Sequence, residues 1–245
     1  MLDFFRKKKQ IPVDFSGVAN DMHSHLLPGI DDGSPDIATS AALISGMRDL
    51  GFTGFTTTPH IMWDLYQNDA TSIGNAAASL RADKSVGLPE KFGFAAEYFL
   101  DDHLSSLLDQ DVPLLTIKDN LLLFEFSFVN TPFDFKELIF KMQIKGYQPI
   151  LAHPERYLYL KDNKAVYDEL KSAGCFFQLN ILSLIGYYGR VSTDIANYLI
   201  SKNYIDLLGS DLHHQRHLDA LRNSGSIMPT INELLDSGKL LNTTL

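Results

Sequence analysis

Asp21-Met22-His23-Ser24-His25-Leu26-Leu27-Pro28-Gly29-Ile30-Asp31-Asp32-Gly33 sets two histidines two residues apart at the end of a short apolar run, with an acidic pair just downstream. It is the densest group of potential metal ligands in the chain. Side chains two apart on a strand point to the same face, so His23 and His25 can present imidazoles to one point, with Asp21 in line as an acceptor behind them. Polar loops also contain such pairs, so the meaning of this one rests on partners elsewhere in the chain.

Those partners recur at one kind of place. Ser34-Pro35-Asp36 reads as a helix start, and Ile37, Ala41, Ile44 and Met47 carry the helix towards Gly51. Phe52 to Thr58 is a strand-like run that ends at Pro59-His60. A helix over 69–84 follows, then Phe92 to Ala96 as a strand ending at Glu97. After a helix over 101–110, the apolar run Leu121 to Phe124 ends at Glu125, as a strand buried on both faces would. A helix from Phe135 to Lys145 precedes the strand Gln148 to Ala152, which ends at His153-Pro154, and Asn163 to Ala173 is the next helix. Cys175 to Leu179 is a strand stopping at Asn180, residues 192–202 are helical, and Tyr204 to Gly209 leads into Asp211 and His213, which repeat the opening spacing.

Seven strand-like runs alternating with helices are the signature of a parallel sheet with crossover helices, and 245 residues suit one α/β barrel. In a closed β/α barrel the C-terminal strand ends share one rim, where active sites form. Six of the seven runs end in His, Asp or Glu, although only 8 His and 30 Asp or Glu occur in the chain. Chance does not account for that. Asn180, at the seventh, is either a hydrogen-bond partner behind a ligand or a turn former.

Composition narrows the classes. A net charge of −9 without a long basic block argues against a nucleic-acid surface. An anionic substrate stays open, because bound metal ions can reverse the local sign. The single cysteine, Cys175, excludes an intrachain disulfide and a multi-cysteine zinc site and fits a reducing cytoplasm. It reads as a core residue. The Cys-x5-Arg loop of cysteine-dependent phosphatases is absent, since position 181 is Ile. No run approaches a transmembrane segment in length. Residues 1–17 are expected to form a flexible tail, in which Phe4 and Phe5 beside Arg6 to Lys9 suit at most weak contact with an anionic membrane surface, and 18–245 a single domain.

DMHSHLLPGIDDG, the TTTPH ending at His60, the AAE ending at Glu97, LLLFEFS around Glu125, LAHPERY from Leu151 to Tyr157 and GSDLH from Gly209 to His213 together resemble the PHP (polymerase and histidinol phosphatase) superfamily. Within it the chain resembles the bacterial CpsB/YwqE-type metal-dependent protein-tyrosine phosphatases, from about residue 20 to residue 220; the HPERY and DDG elements favour this branch. The resemblance implies a distorted seven-stranded TIM-like (β/α)7 barrel, the PHP fold, with three divalent metal ions, Mn²⁺ foremost and Fe or Zn²⁺ as alternatives. It implies that His23, His25, Glu97 and Asp211 hold one ion, that Glu97 bridges to a second held with Glu125 and His153, and that Asp32, His60 and His213 hold the third. Asp31 is then a supporting acid. Arg156 matches an arginine near the phosphate, and Arg216 matches a second one less closely.

The same resemblance implies phosphomonoester hydrolysis by a metal-bridging hydroxide, on the tyrosine-rich tail of a bacterial tyrosine kinase that controls capsule or exopolysaccharide export. Trp63, Tyr66, Tyr187 and Tyr188 are candidates to line a cleft for the phosphotyrosine ring, with packing against helices as the plainer reading. Competing readings are a small-molecule phosphatase of the histidinol-phosphate kind, a metal-dependent hydrolase of C–N bonds, and a non-catalytic metal-binding scaffold. All nine expected ligand positions are filled, which weighs against the scaffold.

Overall fold

Pro59 decides how the strands are divided. In the computed structural model, which describes residues 11–245, the run expected over 52–58 is β2 (Gly54–Thr57), and β3 (His60–Ile61) begins directly after Pro59 in a different sheet. Proline has no N–H to give a ladder, so the pairing shifts there. The run expected to end at Glu97 splits in the same way, into β4 (Lys91–Phe94) and β5 (Glu97–Phe99). Glu97 therefore opens a strand rather than closing one. Ala95 N donates to Thr57 O at 2.8 Å and Glu97 N to Pro59 O at 3.0 Å, which carries the chain across the step.

The remaining strands are β1 (Asn20–Asp21), β6 (Leu121–Glu125), β7 (Gln148–Ala152), β8 (Phe176–Asn180) and β9 (Leu207–Gly209). The result is an α/β protein with two parallel sheets, ordered β1-β2-β4 and β3-β5-β6-β7-β8-β9. The two sheets meet through backbone bonds beyond the strands, Asp211 N to His23 O at 2.8 Å and His25 N to Leu212 O at 2.9 Å, while Thr58 N to Ser24 O at 2.7 Å extends the pairing of β1 with β2. Ser24 and Leu212 form an isolated parallel bridge.

Helices cover the outside. They are α1 (Ile37–Asp49), α2 (Ala70–Ala82), α3 (Asp102–Asp109), α4 (Phe135–Ile144), α5 (Ala165–Ser172), α6 (Arg190–Ser201), α7 (Gln215–Arg222) and α8 (Met228–Asp236). Asp36, Asp69 and Asp101 cap α1, α2 and α3 by accepting from the backbone N–H three residues on. The last two helices lie past the final motif, where the sequence pattern makes no assignment; α7 starts at the polar stretch His213-His214-Gln215, with His214 as its cap. Among the described residues no helix is long and apolar enough to cross a membrane.

Strand alternation separates two apolar layers. Leu122, Phe124, Leu151, Phe177 and Leu208 join the helices in the large outer core. Met22, Leu123, Ile150, Ala152 and Leu207 form a small inner cluster, with Leu241 and Leu245 packed against it. Further along the same inner face stand Glu125, two residues past Leu123 on β6, and Asn180, two residues past Gln178 on β8. Of the expected tail, residues 1–10, including the FFRKKK segment, fall outside the described residues, while Phe15 is fully buried and bonded from its N–H to Leu50 O at 2.8 Å. Packing thus reaches back into the segment expected to be loose.

Asn242 joins the first and last strands. Its Nδ2 donates to Asn20 O at 3.0 Å and Leu208 O at 2.7 Å, and its Oδ1 accepts from Leu208 N at 2.9 Å, all in a fully buried position. Asn242→Ala is expected to lower unfolding free energy by about 2–4 kcal/mol, because it strands buried backbone groups. A urea transition with an unchanged midpoint would refute this role.

Candidate metal centre

The two opening histidines leave β1 side by side, and each is aimed by a different partner. Gln178 Oε1 accepts from His23 Nδ1 at 2.8 Å, and Asp31 Oδ2 accepts from His25 Nδ1 at 2.8 Å. With the proton held on Nδ1, both Nε2 atoms present lone pairs to one point. Glu97 Oε2 lies there, 3.2 Å from His23 Nε2 and 3.4 Å from His25 Nε2, and Asp211 Oδ1 lies at 3.5 and 3.4 Å from the same atoms.

The other expected positions complete a continuous rim. His60 Nδ1 approaches Glu97 Oε2 at 3.2 Å and Glu125 Oε1 at 3.0 Å, while its Nε2 approaches Asp32 Oδ1 at 3.5 Å. His60 therefore stands between two groups. His153 Nε2 is 3.0 Å from Glu97 Oε1 and 3.9 Å from Glu125 Oε2. His213 Nε2 is 3.5 Å from Asp32 Oδ1, and its Nδ1 is 3.4 Å from Asp211 Oδ1. Three sets converge closely enough to hold an ion: His23, His25 and Glu97; His60, Glu97 and Glu125; and His25, Asp32, His60 and His213.

A metal fits these residues on the chemistry of the donors and on what they lack. His60 Nδ1, Glu97 Oε2, Glu125 Oε1 and His153 Nδ1 are buried without a hydrogen-bond partner. Buried polar atoms left unpaired are costly, and three of these four face the centre of the cluster. The set is imidazole and carboxylate without thiolate, which suits Mn²⁺, Fe or Zn²⁺.

Backbone constraint holds the rim in place. His153, ahead of a proline, and Asp211 sit at φ of 32° and 49°, in the left-handed region that non-glycine residues seldom occupy. Gly33 has no room for a Cβ, which would fall 2.3 Å from His25 O, so the DDG turn can fold back against the histidine only with glycine there. Gly209 is equally confined by Gln178 and His23.

Arg156 donates from a guanidinium nitrogen to Asp211 Oδ2, to which Asn180 Nδ2 also donates at 3.1 Å. This leaves Asp211 Oδ1 turned into the cluster. Asn180 also serves the turn after β8, where its Oδ1 accepts from Leu182 N at 2.9 Å. Arg216 stands apart: it is exposed on the first turn of α7 and makes no hydrogen bond or ion pair with the described residues. Asp21 differs from expectation, accepting from Ser210 N at 2.8 Å and Ser210 Oγ at 2.7 Å rather than from an imidazole, and burial pushes it up to about 6.

Gln178 is the functional residue that motif reading misses. It is uncharged and lies within a strand, but its position two before Asn180 on the same face is the signal that could have exposed it. Glu155, which lies in the LAHPERY stretch, is fully buried; its Oε1 accepts from Asn180 N at 3.1 Å and Ser183 Oγ at 2.6 Å, and burial raises it to about 7. Among the aromatic candidates, Tyr66 stacks on His60 at 5.6 Å, Trp63 on His103 at 4.0 Å, and Tyr187 and Tyr188 meet His217 edge-on.

The charges are mutually stabilising in the absence of metal. Burial alone would raise Glu97, but His23, His60 and the hydrogen bond from His153 hold it well below the usual carboxylate range. Burial likewise opposes charge on Asp211, and His213, His23 and Arg156 overcome it. For His60, burial and the neighbouring His25 disfavour protonation, yet Glu97 and Glu125 raise it to about 9. His153 moves the other way, lowered by burial and by Arg156.

A parallel α/β frame carrying a rim of buried imidazoles and carboxylates at its strand ends defines a metal-binding α/β protein of hydrolase type. The chain belongs to the capsular polysaccharide synthesis family CpsB/CapC, whose family model matches residues 19–223. It is 29% identical over 198 residues to the tyrosine-protein phosphatase YwqE of Bacillus subtilis, covering 79% of this chain and 77% of that protein. Over 201 residues it is 25% identical to the tyrosine-protein phosphatase CpsB of Streptococcus pneumoniae, covering 79% and 82%. A crystal structure from the pair of B. subtilis YwqE and S. pneumoniae CpsB, described as unique metal-dependent tyrosine phosphatases, superposes with a TM-score of 0.74 at 26% identity, over 88% of this chain and 93% of that one.

Two outcomes follow from the geometry. A raised histidine adds stability below its unfolded pKa and loses it as pH rises through the folded value, while the depressed Glu97 and Asp211 lose theirs only in acid. The metal-stripped protein is therefore expected to lose Tm between about pH 6.5 and the His60 value of about 9; metal, which displaces those protons, should flatten the decline. A stripped protein whose Tm holds steady over that window would contradict the charge pattern. Gln178→Ala should weaken metal binding by about 10–100-fold, read by calorimetric titration, because His23 loses the acceptor that aims it.

Proposed function

We propose that the chain is a metal-dependent protein-tyrosine phosphatase with a trinuclear centre in a closed, seven-run PHP-type barrel. The carrying observation is the convergence of nine imidazoles and carboxylates, four of their buried atoms or ring nitrogens unpaired, beside the Arg156 guanidinium. Ring closure is supported by the bonds that join His23 to Asp211 and His25 to Leu212 and by the Ser24–Leu212 bridge, which link the stretch after β1 to the stretch after β9. In this reading His23, His25, Glu97 and Asp211 hold one ion, Glu97, Glu125 and His153 the second, and Asp32, His60 and His213 the third. Mn²⁺ is the preferred ion, with Fe or Zn²⁺ as substitutes.

Bound divalent ions would lower the pKa of water to near neutrality and offset charge on the phosphate oxygens. The chain's own residues do the rest. Asp31 and Gln178 keep His25 and His23 in the tautomer that leaves Nε2 free. Arg156 offers guanidinium N–H groups at the edge of the cluster, where a phosphate oxygen can accept them. The four carboxylates carry about four negative charges against about six positive from three ions, so the rim attracts an anion despite the acidic chain. A tyrosine phenolate leaves with a pKa of about 10, far less basic than an alkoxide, so it departs with little protonation.

Cys175 is excluded as the nucleophile by its place in the core, where burial pushes its thiol up to about 12. Side-chain exposure of 54% at Asp32 and of 12–13% at His60 and His213 opens the rim to solvent, which favours a phosphate carried on a protein over a small, enclosed substrate. The relatives' setting in capsule synthesis makes a bacterial tyrosine kinase tail, met in the cytoplasm, the proposed substrate. Arg216 is retained only as a residue that an incoming phosphoprotein could meet outside the rim.

The test is turnover by purified, metal-reconstituted protein of phosphotyrosine peptide, phosphoserine peptide and histidinol phosphate in parallel. Phosphotyrosine is expected to be preferred, with His153→Ala reducing kcat at least about 100-fold in a folded protein. Equal or faster turnover of histidinol phosphate would overturn the substrate, and near-full activity of His153→Ala would overturn the ligand set.

A further inference from the structure

Phe128 lies three residues beyond Glu125, in the stretch that leaves β6, and its side chain is left 47% exposed. A large apolar ring at that exposure is unexceptional by itself; its neighbours make it informative. Its centroid is 5.6 Å from that of His153 with the planes 26° apart, and the Arg156 guanidinium carbon stands 4.7 Å from the same ring. The same guanidinium carbon also stands over the Tyr188 ring, 4.2 Å from its centroid. Arg156 thus contacts two aromatic rings while it pairs with Asp211.

Those two rings are not equivalent. Tyr188 is half-buried, accepts from Asn180 Nδ2 at 3.2 Å and packs against Tyr187 and His217, so its role is used up in fixing the guanidinium. Phe128 still has free surface. A phosphate seated between the cluster and Arg156 carries its ester group one oxygen away from the phosphorus, next to the ring that already touches both His153 and Arg156. Aromatic pairs favour offset or edge-on contact at centroid separations of about 4.5–7 Å, which that position allows.

We propose that Phe128 is the specificity-determining residue against which the phenyl ring of phosphotyrosine packs, so that it separates aryl from alkyl phosphate esters at this centre. The inference rests on the phosphatase reading above. Trp63, which stacks on His103, and the partly buried Tyr66, which stacks on His60, lack its position, since the two rings that lie under Arg156 are those of Phe128 and Tyr188. Phosphoserine has no ring to place there and gains nothing from Phe128.

The experiment measures kcat and KM for a phosphotyrosine peptide, and Ki for inorganic phosphate, on the full-length, metal-reconstituted wild type, Phe128→Ala, Phe128→Trp and Tyr66→Ala. An aromatic contact of ordinary strength predicts that Phe128→Ala raises KM about 3–10-fold. It should leave kcat within about twofold and phosphate Ki unchanged, because the ring, not the phosphate, loses its partner. Phe128→Trp should restore KM. A parallel rise in phosphate Ki would show that Phe128 acts through Arg156, overturning the proposal. So would an unchanged KM, or a loss confined to Tyr66→Ala. Wild-type protein that binds metal but does not hydrolyse the peptide would refute the phosphatase reading itself, a result distinct from an active wild type indifferent to Phe128.

Discussion

A fully buried carboxylate among four imidazoles is the constraint around which the molecule is arranged. Glu97 has His23, His25, His60 and His153 within 3.4 Å of its two oxygens and is itself fully buried. An isolated ionised carboxylate in such a place would be severely destabilising, so it must either share protons with its neighbours or share a metal with them. Both solutions need the same thing, which is several strand ends delivered to one point. The short strands, the break at Pro59 and the opening of β5 at Glu97 all serve that delivery.

Support for the rim comes from residues that carry no metal. Gln178 is placed by alternation on β8 and holds both the His23 ring and the His153 backbone, the latter at 3.2 Å. Asp31 ties His25 to the His60 backbone N–H at 3.2 Å, so the DDG turn does more than lend Asp32 to the rim. Asn180 and Arg156 share one oxygen of Asp211 and leave the other to the histidines. Two left-handed residues, His153 and Asp211, mark where the backbone departs from ordinary strand geometry to meet this demand. Function and local strain coincide there.

Much of this was readable from residue order. Apolar runs that stop near His, Asp or Glu expose the rim and most of the strands, because such endings are local signals, although His60 and Glu97 open strands rather than close them. Cys175 in the core follows from its apolar surroundings in the same way. What local pattern does not carry is register. That Asp21 bonds to Ser210 across 189 positions, leaving Gln178 to orient His23, depends on how β1, β8 and β9 pair. The division of the 92–99 run follows from proline on a neighbouring strand, which no reading of 92–99 alone could supply. Arg216 matches a motif position yet is exposed on the first turn of α7 without a bond to the rim among the described residues, which spacing alone does not reveal. Assignment of nine side chains to individual ions is likewise a matter of distances, and His60, facing two groups, shows why spacing does not decide it.

Metal content of the purified chain tests the central claim most directly, comparing wild type with Glu97→Gln after reconstitution and removal of free ions. If Glu97 joins the groups into one centre, the wild type should retain about three divalent ions and Glu97→Gln should lose at least one of them while its secondary structure persists. A wild type that retains no metal, or a Glu97→Gln protein with the full complement, would contradict the account.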